Sequence, residues 1–277
     1  MKKNILPIAL AAISMVACTS QKKAEEPAPE SKALVLYYSQ TGTTQTVAEE
    51  LQHQLGADIE AIVLEEAYDG DFQQTIARCQ EQMASGEVPI VKPLDADLAK
   101  YDTIYLGYPV WFGTYAMPIA GLVKDQAFEG KTIITFCTFG SGGLQSSTNN
   151  LKEALPQANV IEGYGVRTAR VASAPAELNR FLIERGYKEG EIEALPAFME
   201  DHPVSGEEVE IFNQACGDYQ YPLGTPVTVA VRATASSTDY LFNAKSTSAS
   251  GEESMAQIYV TVKNEEGAKP EFTQVVR

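Results

Sequence analysis

Histidine is scarce in this sequence, which contains only two in 277 residues, His53 and His202. His53 lies between leucines of a candidate helix, where we expect it to be exposed, and His202 precedes a proline. Neither is placed to complete a Ser-His-Asp arrangement or to bind a metal ion together with a partner side chain. We therefore assign no catalytic side chain and no metal site.

Cysteine is also sparse, and the cysteines are widely spaced. Of four cysteines, one falls in an N-terminal leader, which leaves Cys79, Cys137 and Cys216. An odd number at wide spacing argues against a disulfide framework, and no CxxC or Cys/His cluster is present. We expect Cys137 to pack in the core and the other two to be semi-buried.

Basic residues are outnumbered by acidic ones, 21 to 37, for a net charge of −16. Such a surface repels nucleic acid and favours a partner with a basic face. Beyond the N-terminal leader, no run approaches the ~20 apolar residues of a membrane-spanning helix. The length suits two domains, and a hydrophobic content of 44% is ample for a packed core.

The first 18 residues have the pattern of an export signal. Lys2 and Lys3 precede an apolar stretch, residues 5–16, that is too short to span a membrane. The following Met15-Val16-Ala17-Cys18 resembles a bacterial lipobox, which implies cleavage and lipidation at Cys18; an ordinary signal peptide is the alternative. Residues 19–32 then predict a disordered tether. We expect an exported protein, lipid-anchored to a membrane of the bacterial cell envelope.

The most informative segment comes directly after the tether. Ala33–Tyr38 is an apolar run too short for a helix, which predicts a strand buried on both faces. It leads into the small polar residues Ser39–Thr44, and Val47, Leu51 and Leu55 then recur at helical spacing. A strand, a tight loop and a helix direct backbone N–H groups at the loop, which suits a phosphate. The loop lacks Lys and Arg, and neither a Walker motif nor GxGxxG is present.

Two further strands end in loops suited to a ligand. Thr103–Tyr108 is followed by the aromatic segment Pro109–Thr114, and Thr132–Cys137 by the glycine-rich segment Thr138–Gly143. In an open parallel sheet, ligands bind outside the carboxyl ends of the strands. The three loops should therefore converge on one site.

The pattern Ser39-x-Thr41-Gly42-x-Thr44 resembles the phosphate loop of flavodoxins, and the other two loops are similar to flavodoxin-like loops in the same order. The resemblance covers residues 33–187. It implies FMN as the cofactor and a flavodoxin-like α/β fold, a doubly wound five-stranded parallel sheet in the order 2-1-3-4-5. The alternation of segments agrees, with a strand over Asp58–Leu64 and a helix over Asp71–Ser85 among them.

The resemblance also implies which residues bind the cofactor. Hydroxyls and amides of the first loop would hold the phosphate. Trp111 would stack on the ring or wall off its edge, and Phe139 would flank the other side. Phe112 stands where related proteins often carry a second Trp. The full set is Ser39, Gln40, Thr41, Gly42, Thr43 and Thr44; Pro109, Val110, Trp111, Phe112 and Gly113; and Thr138, Phe139, Gly140, Ser141, Gly142 and Gly143.

The remainder of the chain predicts a linker, residues 188–203, and a small α+β domain, residues 204–277. Ser205 and Glu208 form a capping box that begins a helix. Period-two alternation after Pro222 indicates three or four antiparallel strands. This order is faintly similar to the cystatin fold, but Ala233–Ser237 lacks the residues of the inhibitory hairpin.

Three functions remain open. The first is a membrane-tethered FMN electron carrier whose acidic face docks a basic redox partner protein. The second is an FMN-dependent oxidoreductase that uses NAD(P)H and a quinone-like acceptor. The third is a non-redox binding lipoprotein, against which the intact glycine and hydroxyl positions of the loops argue. Without an acid–base constellation, redox chemistry would be carried by the bound cofactor.

Overall fold

The computed structural model describes residues 33–125, 128–192, 194–217, 219, 221–247 and 251–277. The predicted leader, the lipidation site Cys18 and the tether, residues 19–32, lie outside the described residues. The predicted domain boundaries at 187 and 204 stay predictions.

The first half of the described chain forms a twisted parallel sheet. Its strand order is β2-β1-β3-β5-β6, and the short β4 pairs with β3 in antiparallel orientation. The five parallel strands thus have the predicted 2-1-3-4-5 order of a doubly wound sheet. The strands are β1 (Ala33–Tyr37), β2 (Asp58–Ala61), β3 (Thr103–Trp111), β4 (Thr114–Tyr115), β5 (Thr132–Phe139) and β6 (Asn159–Arg167).

Five helices cover both faces of this sheet. Val47 and Leu178 belong to a core cluster on one face, and Ile119 and Leu151 to a cluster on the other. Burying each such side chain stabilises the fold by about 1.5–3 kcal/mol, which explains the continuous apolar strands between the helices. The helices are α1 (Thr43–Leu55), α2 (Phe72–Ser85), α3 (Met117–Asp125), α4 (Leu144–Ala154) and α5 (Ala174–Glu184).

Two strand ends differ from the sequence predictions. β2 stops at Ala61, and Leu64 makes only an isolated bridge with Val91. β3 continues through Pro109 to Trp111, where a loop was predicted, and turns back into β4. The turn residues Phe112 and Gly113 have φ of 51° and 78°, the paired positive values that a tight hairpin turn requires.

The C-terminal region forms an antiparallel sheet in the order β11-β10-β9-β8-β7, with helix α6 packed on it. The predicted capping box is present: the Ser205 hydroxyl accepts from the Glu208 amide, and the Glu208 carboxylate accepts from the Ser205 amide. The elements are β7 (His202–Pro203), α6 (Gly206–Cys216), β8 (Thr225–Ala233), β9 (Ser237–Thr247), β10 (Glu253–Lys263) and β11 (Glu271–Val276).

Two further predictions need correction. β7 lies inside the predicted linker, because His202 and Pro203 pair with β8. Cys79 and Cys216 are buried rather than semi-buried, whereas Cys137 is buried in the core as predicted. Among the described residues, no helix is long and apolar enough to cross a membrane. In the same part of the chain, no group of His, Cys, Asp or Glu is arranged to hold a metal ion.

Candidate cofactor site

The loops after β1, β3 and β5 meet at the carboxyl edge of the parallel sheet, around two cavities. The smaller, about 370 Å³, lies against the first loop; the larger, about 780 Å³, lies against the Phe112 turn and the glycine-rich loop. Val110, Trp111 and Gly140 line both cavities, so the two adjoin. Every residue of the predicted cofactor set lines one or both cavities, except Ser39 and Gly42.

The first loop presents an uncompensated set of polar groups. Gly42 (φ 85°) is the N-cap of α1, and no side chain caps that helix end. The first N–H groups of a helix have no intrahelical partner. The Ser39 Oγ atom is buried and has no hydrogen-bond partner among the described residues. A buried hydroxyl without a partner is unfavourable, and a phosphate bound in this loop would supply an acceptor for it.

The threonines of the first loop differ in exposure and in hydrogen bonding. Thr41 is exposed, and its Oγ1 lies 3.4 Å from that of Thr43. Thr44 is buried, and its Oγ1 lies 2.8 Å from Thr138 Oγ1, which ties the start of α1 to the end of β5. Because only one proton is used between the two hydroxyls, the other can be donated into the smaller cavity, which both residues line.

Gln40 holds the aromatic side of the site in place rather than pointing freely into it. Its side-chain carbonyl accepts from the Tyr38 hydroxyl, and its Nε2 donates to the Tyr68 carbonyl at 2.5 Å. The rings of Tyr38 and Tyr68 pack edge-on against Trp111, with centroids 5.9 and 5.3 Å away. Burial raises the pKa of both phenols far above the usual value, so both are neutral donors.

The two phenylalanines predicted as ring contacts have opposite environments. Phe112 is 51% exposed at the tip of the β3–β4 turn and lines the larger cavity. Phe139 is only 3% exposed and packs in the core beneath the smaller cavity, which it still lines. The structure therefore places Phe139 as a cavity floor, with little surface left to flank a ring.

The glycine-rich loop after β5 is held by the C-terminal sheet. The Val275 amide of β11 donates to the Ser141 carbonyl at 2.8 Å. A Cβ atom on Gly142 would lie 2.4 Å from the Val275 carbonyl oxygen, so only glycine allows β11 to approach this closely.

Arg167, at the end of β6, joins the same two parts of the molecule. Its Nε donates to the Gly140 carbonyl at 2.8 Å and its Nη1 to the Phe272 carbonyl at 2.6 Å. The guanidinium also lies 4.1 Å above the Phe272 ring. Burial lowers the pKa of this guanidinium, but arginine remains charged in proteins.

Sequence reasoning missed several cavity-lining residues. The start of α2 contributes Phe72, Thr75 and Ile76, and the C-terminal region contributes Tyr219, Tyr221, Val275 and Arg277. The start of α2 falls within the helix predicted over Asp71–Ser85, and the structure caps it at Asp71, but no local pattern shows that this helix end faces Trp111. The alternation of the C-terminal strands likewise does not report where their sheet docks.

The fold and the site define a class of protein. It is a doubly wound α/β protein with an anion-binding loop and aromatic side chains at the carboxyl ends of its parallel strands. The sequence profile of the flavodoxin family matches residues 32–177, more than half of the chain. The chain therefore belongs to the flavodoxin family, which confirms the resemblance seen in the sequence and FMN as the cofactor it implies. No curated protein matches the chain.

Solved structures similar to this chain cover about half of it. A flavoprotein in complex with FMN from Lactobacillus acidophilus NCFM is 25% identical, with a TM-score of 0.46, and covers 55% of this chain and 98% of its own. Proteins classed as flavoproteins from Bacteroides eggerthii DSM 20697 and Bacteroides uniformis ATCC 8492 are 28% and 27% identical, with TM-scores of 0.47 and 0.49. The two alignments include 55% and 54% of this chain, and 98% of the Bacteroides chain in each case.

Proposed function

We propose that this protein is an FMN-dependent electron carrier, exported to the bacterial cell envelope and anchored to a membrane through a lipid on Cys18. One observation carries the cofactor assignment: the buried Ser39 hydroxyl, which has no hydrogen-bond partner in the described part of the chain, belongs to the loop that leads from β1 into the start of α1. A phosphate accepts from both kinds of donor.

The chain's own residues would bind and orient the cofactor. Amides at the start of α1 and the Ser39 hydroxyl would hold the phosphate, with a free proton from the Thr44–Thr138 pair. Trp111, braced by its two tyrosine neighbours, would pack on the ring, and the loop 140–143 would present backbone groups to the polar edge. When bound, FMN would supply the electron transfer.

The acidic surface supports a protein partner. With a net charge of −16, the protein would attract a basic redox partner and speed its encounter at low ionic strength. A tether of residues 19–32 would let the folded part reach such a partner while the lipid stays in the membrane.

A second function is favoured by the size of the larger cavity. About 780 Å³ beside Trp111 is room for a small molecule. The alternative is therefore an FMN-dependent oxidoreductase that oxidises NAD(P)H and reduces a quinone-like acceptor at this cavity.

Titration of the purified protein with FMN and with riboflavin tests the cofactor assignment. FMN should bind far more tightly, because the first loop is built for phosphate, and binding should quench Trp111, the single Trp of the chain. Equal affinity for phosphate-free riboflavin would contradict the role of Ser39–Thr44.

Carrier and oxidoreductase are separated by two rate measurements. The photoreduced FMN protein should reduce a basic acceptor such as cytochrome c, and the rate should fall steeply as salt is added. NAD(P)H consumption with menadione should stay near the rate of free FMN. Rapid NAD(P)H turnover, with a salt-independent cytochrome c rate, would replace the carrier by the oxidoreductase.

Cell fractionation tests the anchor. Cys18→Ser should leave the protein unprocessed or release it into the soluble fraction, whereas the neighbouring control Ser20→Ala should remain with the membrane. Unchanged size and membrane association of the Cys18→Ser protein would rule out lipidation.

A further inference from the structure

The larger cavity has two walls that come from different sheets. One wall belongs to the flavodoxin part and carries Trp111, Phe112 and the glycine-rich loop. The second wall is formed by Tyr219, Tyr221, Val275 and Arg277 of the C-terminal region, and it meets the first where Val275 contacts the glycine-rich loop. The cofactor assignment uses Trp111 and the loop 140–143 of the first wall but no residue of the second wall, which leaves the second wall to contact a further ligand.

Several contacts hold the second wall in place. β11 is hydrogen-bonded to Ser141 and lies directly against Gly142. Arg170, which follows β6, forms ion pairs with Glu177 at 2.8 Å and with Glu271 of β11 at 3.4 Å. The second pair joins the flavodoxin part to the C-terminal sheet. Together with the bridge made by Arg167, these contacts fix β11 beside the glycine-rich loop, so the part of the second wall that β11 supplies needs no ordering when a ligand binds.

The chemistry of the second wall is aromatic and cationic. Tyr219 and Tyr221 pack edge to face with centroids 5.8 Å apart, and Tyr221 is 58% exposed. Among the described residues that line the cavity, Arg277 is the one that carries a charge. Its guanidinium makes a long 3.5 Å hydrogen bond from Nη2 to the Pro222 carbonyl, and the group has five N–H donors.

We propose that Tyr219, Tyr221 and Arg277 form a binding site for a flat aromatic compound that carries an anionic oxygen group, next to the flavin position. The proposal rests on the proposed function in placing the flavin beside Trp111. Aromatic rings of the site offer faces and edges to a flat ring, and the guanidinium matches a carboxylate or sulfonate in a planar pair of hydrogen bonds.

Calorimetric titration of the FMN-loaded, oxidised protein with naphthalene-2-sulfonate tests the site without any redox turnover. We expect saturable binding at one site. Arg277→Gln should weaken it about tenfold or more, because a charge-assisted hydrogen bond is lost, and Tyr221→Ala should weaken it as well. The control Lys269→Gln removes the same charge from an exposed position outside the cavity and should leave the affinity within twofold.

Two further measurements make the outcome decisive. The neutral naphthalene-2-sulfonamide should bind the original protein and Arg277→Gln equally, and FMN affinity should be the same in all variants. Sulfonate binding that is insensitive to both Arg277→Gln and Tyr221→Ala, or that displaces FMN, would overturn the site. Failure of the original protein to bind FMN at all would instead count against the proposed function.

Discussion

Replacing Ser39 by alanine should change the FMN-free protein and the FMN complex in opposite directions. The side-chain oxygen is buried and has no partner among the described residues. Leaving a buried hydroxyl unsatisfied costs about 1–3 kcal/mol. Ser39→Ala removes that oxygen and little else, so the FMN-free protein should become more stable by about 1 kcal/mol, which corresponds to a rise in Tm of about 2–4 °C.

The same change should weaken FMN binding. A hydrogen bond to a charged group contributes about 1.5–3 kcal/mol, so the Kd for FMN should rise about ten- to hundredfold. Riboflavin has no phosphate, and its Kd should be unchanged. Urea unfolding followed by Trp111 fluorescence, together with FMN and riboflavin titrations, measures all three quantities on one protein.

Thr273 of β11 provides a matched control. Its Oγ1 is the other buried side-chain oxygen without a partner in the described part of the chain, and it lies outside both cavities. Thr273→Val should stabilise the protein with and without FMN and leave the Kd unchanged. If Ser39→Ala leaves both stability and FMN affinity unaltered, or lowers the stability of the FMN-free protein, the assignment of Ser39 to the phosphate is refuted.

Three other substitutions probe the rest of the site. Trp111→Leu should weaken the binding of FMN and of riboflavin alike, by about two- to tenfold, since stacking contributes about 0.5–1.5 kcal/mol. Isothermal titration calorimetry measures both affinities without Trp fluorescence, and unequal losses would place Trp111 at the phosphate instead. Gly142→Ala should lower the free energy of unfolding by about 1–3 kcal/mol, because β11 must move, whereas Gly140→Ala meets no atom within 4 Å and should be neutral in the same urea experiment. Arg167→Gln should lower the free energy of unfolding by about 2 kcal/mol and weaken FMN binding. An unchanged Kd for FMN would show that the loop 140–143 does not need the hydrogen bonds of Arg167.

Much of the parallel sheet could be predicted because its signals are local. The apolar run Ala33–Tyr38 specifies a strand buried on both faces, and the small residues after it specify a tight turn into α1. The capping box of α6 is equally local, since Ser205 and Glu208 are three residues apart and satisfy each other's amides. The sequence did not predict the Phe112-Gly113 turn, because the strand was predicted to end at Tyr108, before Pro109, whereas β3 continues to Trp111.

The sequence by itself determined the α/β class, the strand order, the cofactor loops and the family. Tertiary structure alone decided which surfaces meet: that Tyr38 and Tyr68 brace Trp111, that Phe139 is buried, and that β11 closes on the glycine-rich loop. The contact between Ser141 and Val275 joins residues far apart in the chain. Hydrophobic periodicity reports which face of a strand is buried but not which partner covers it, because apolar burial is non-directional. The second wall of the larger cavity therefore exists only in the folded molecule.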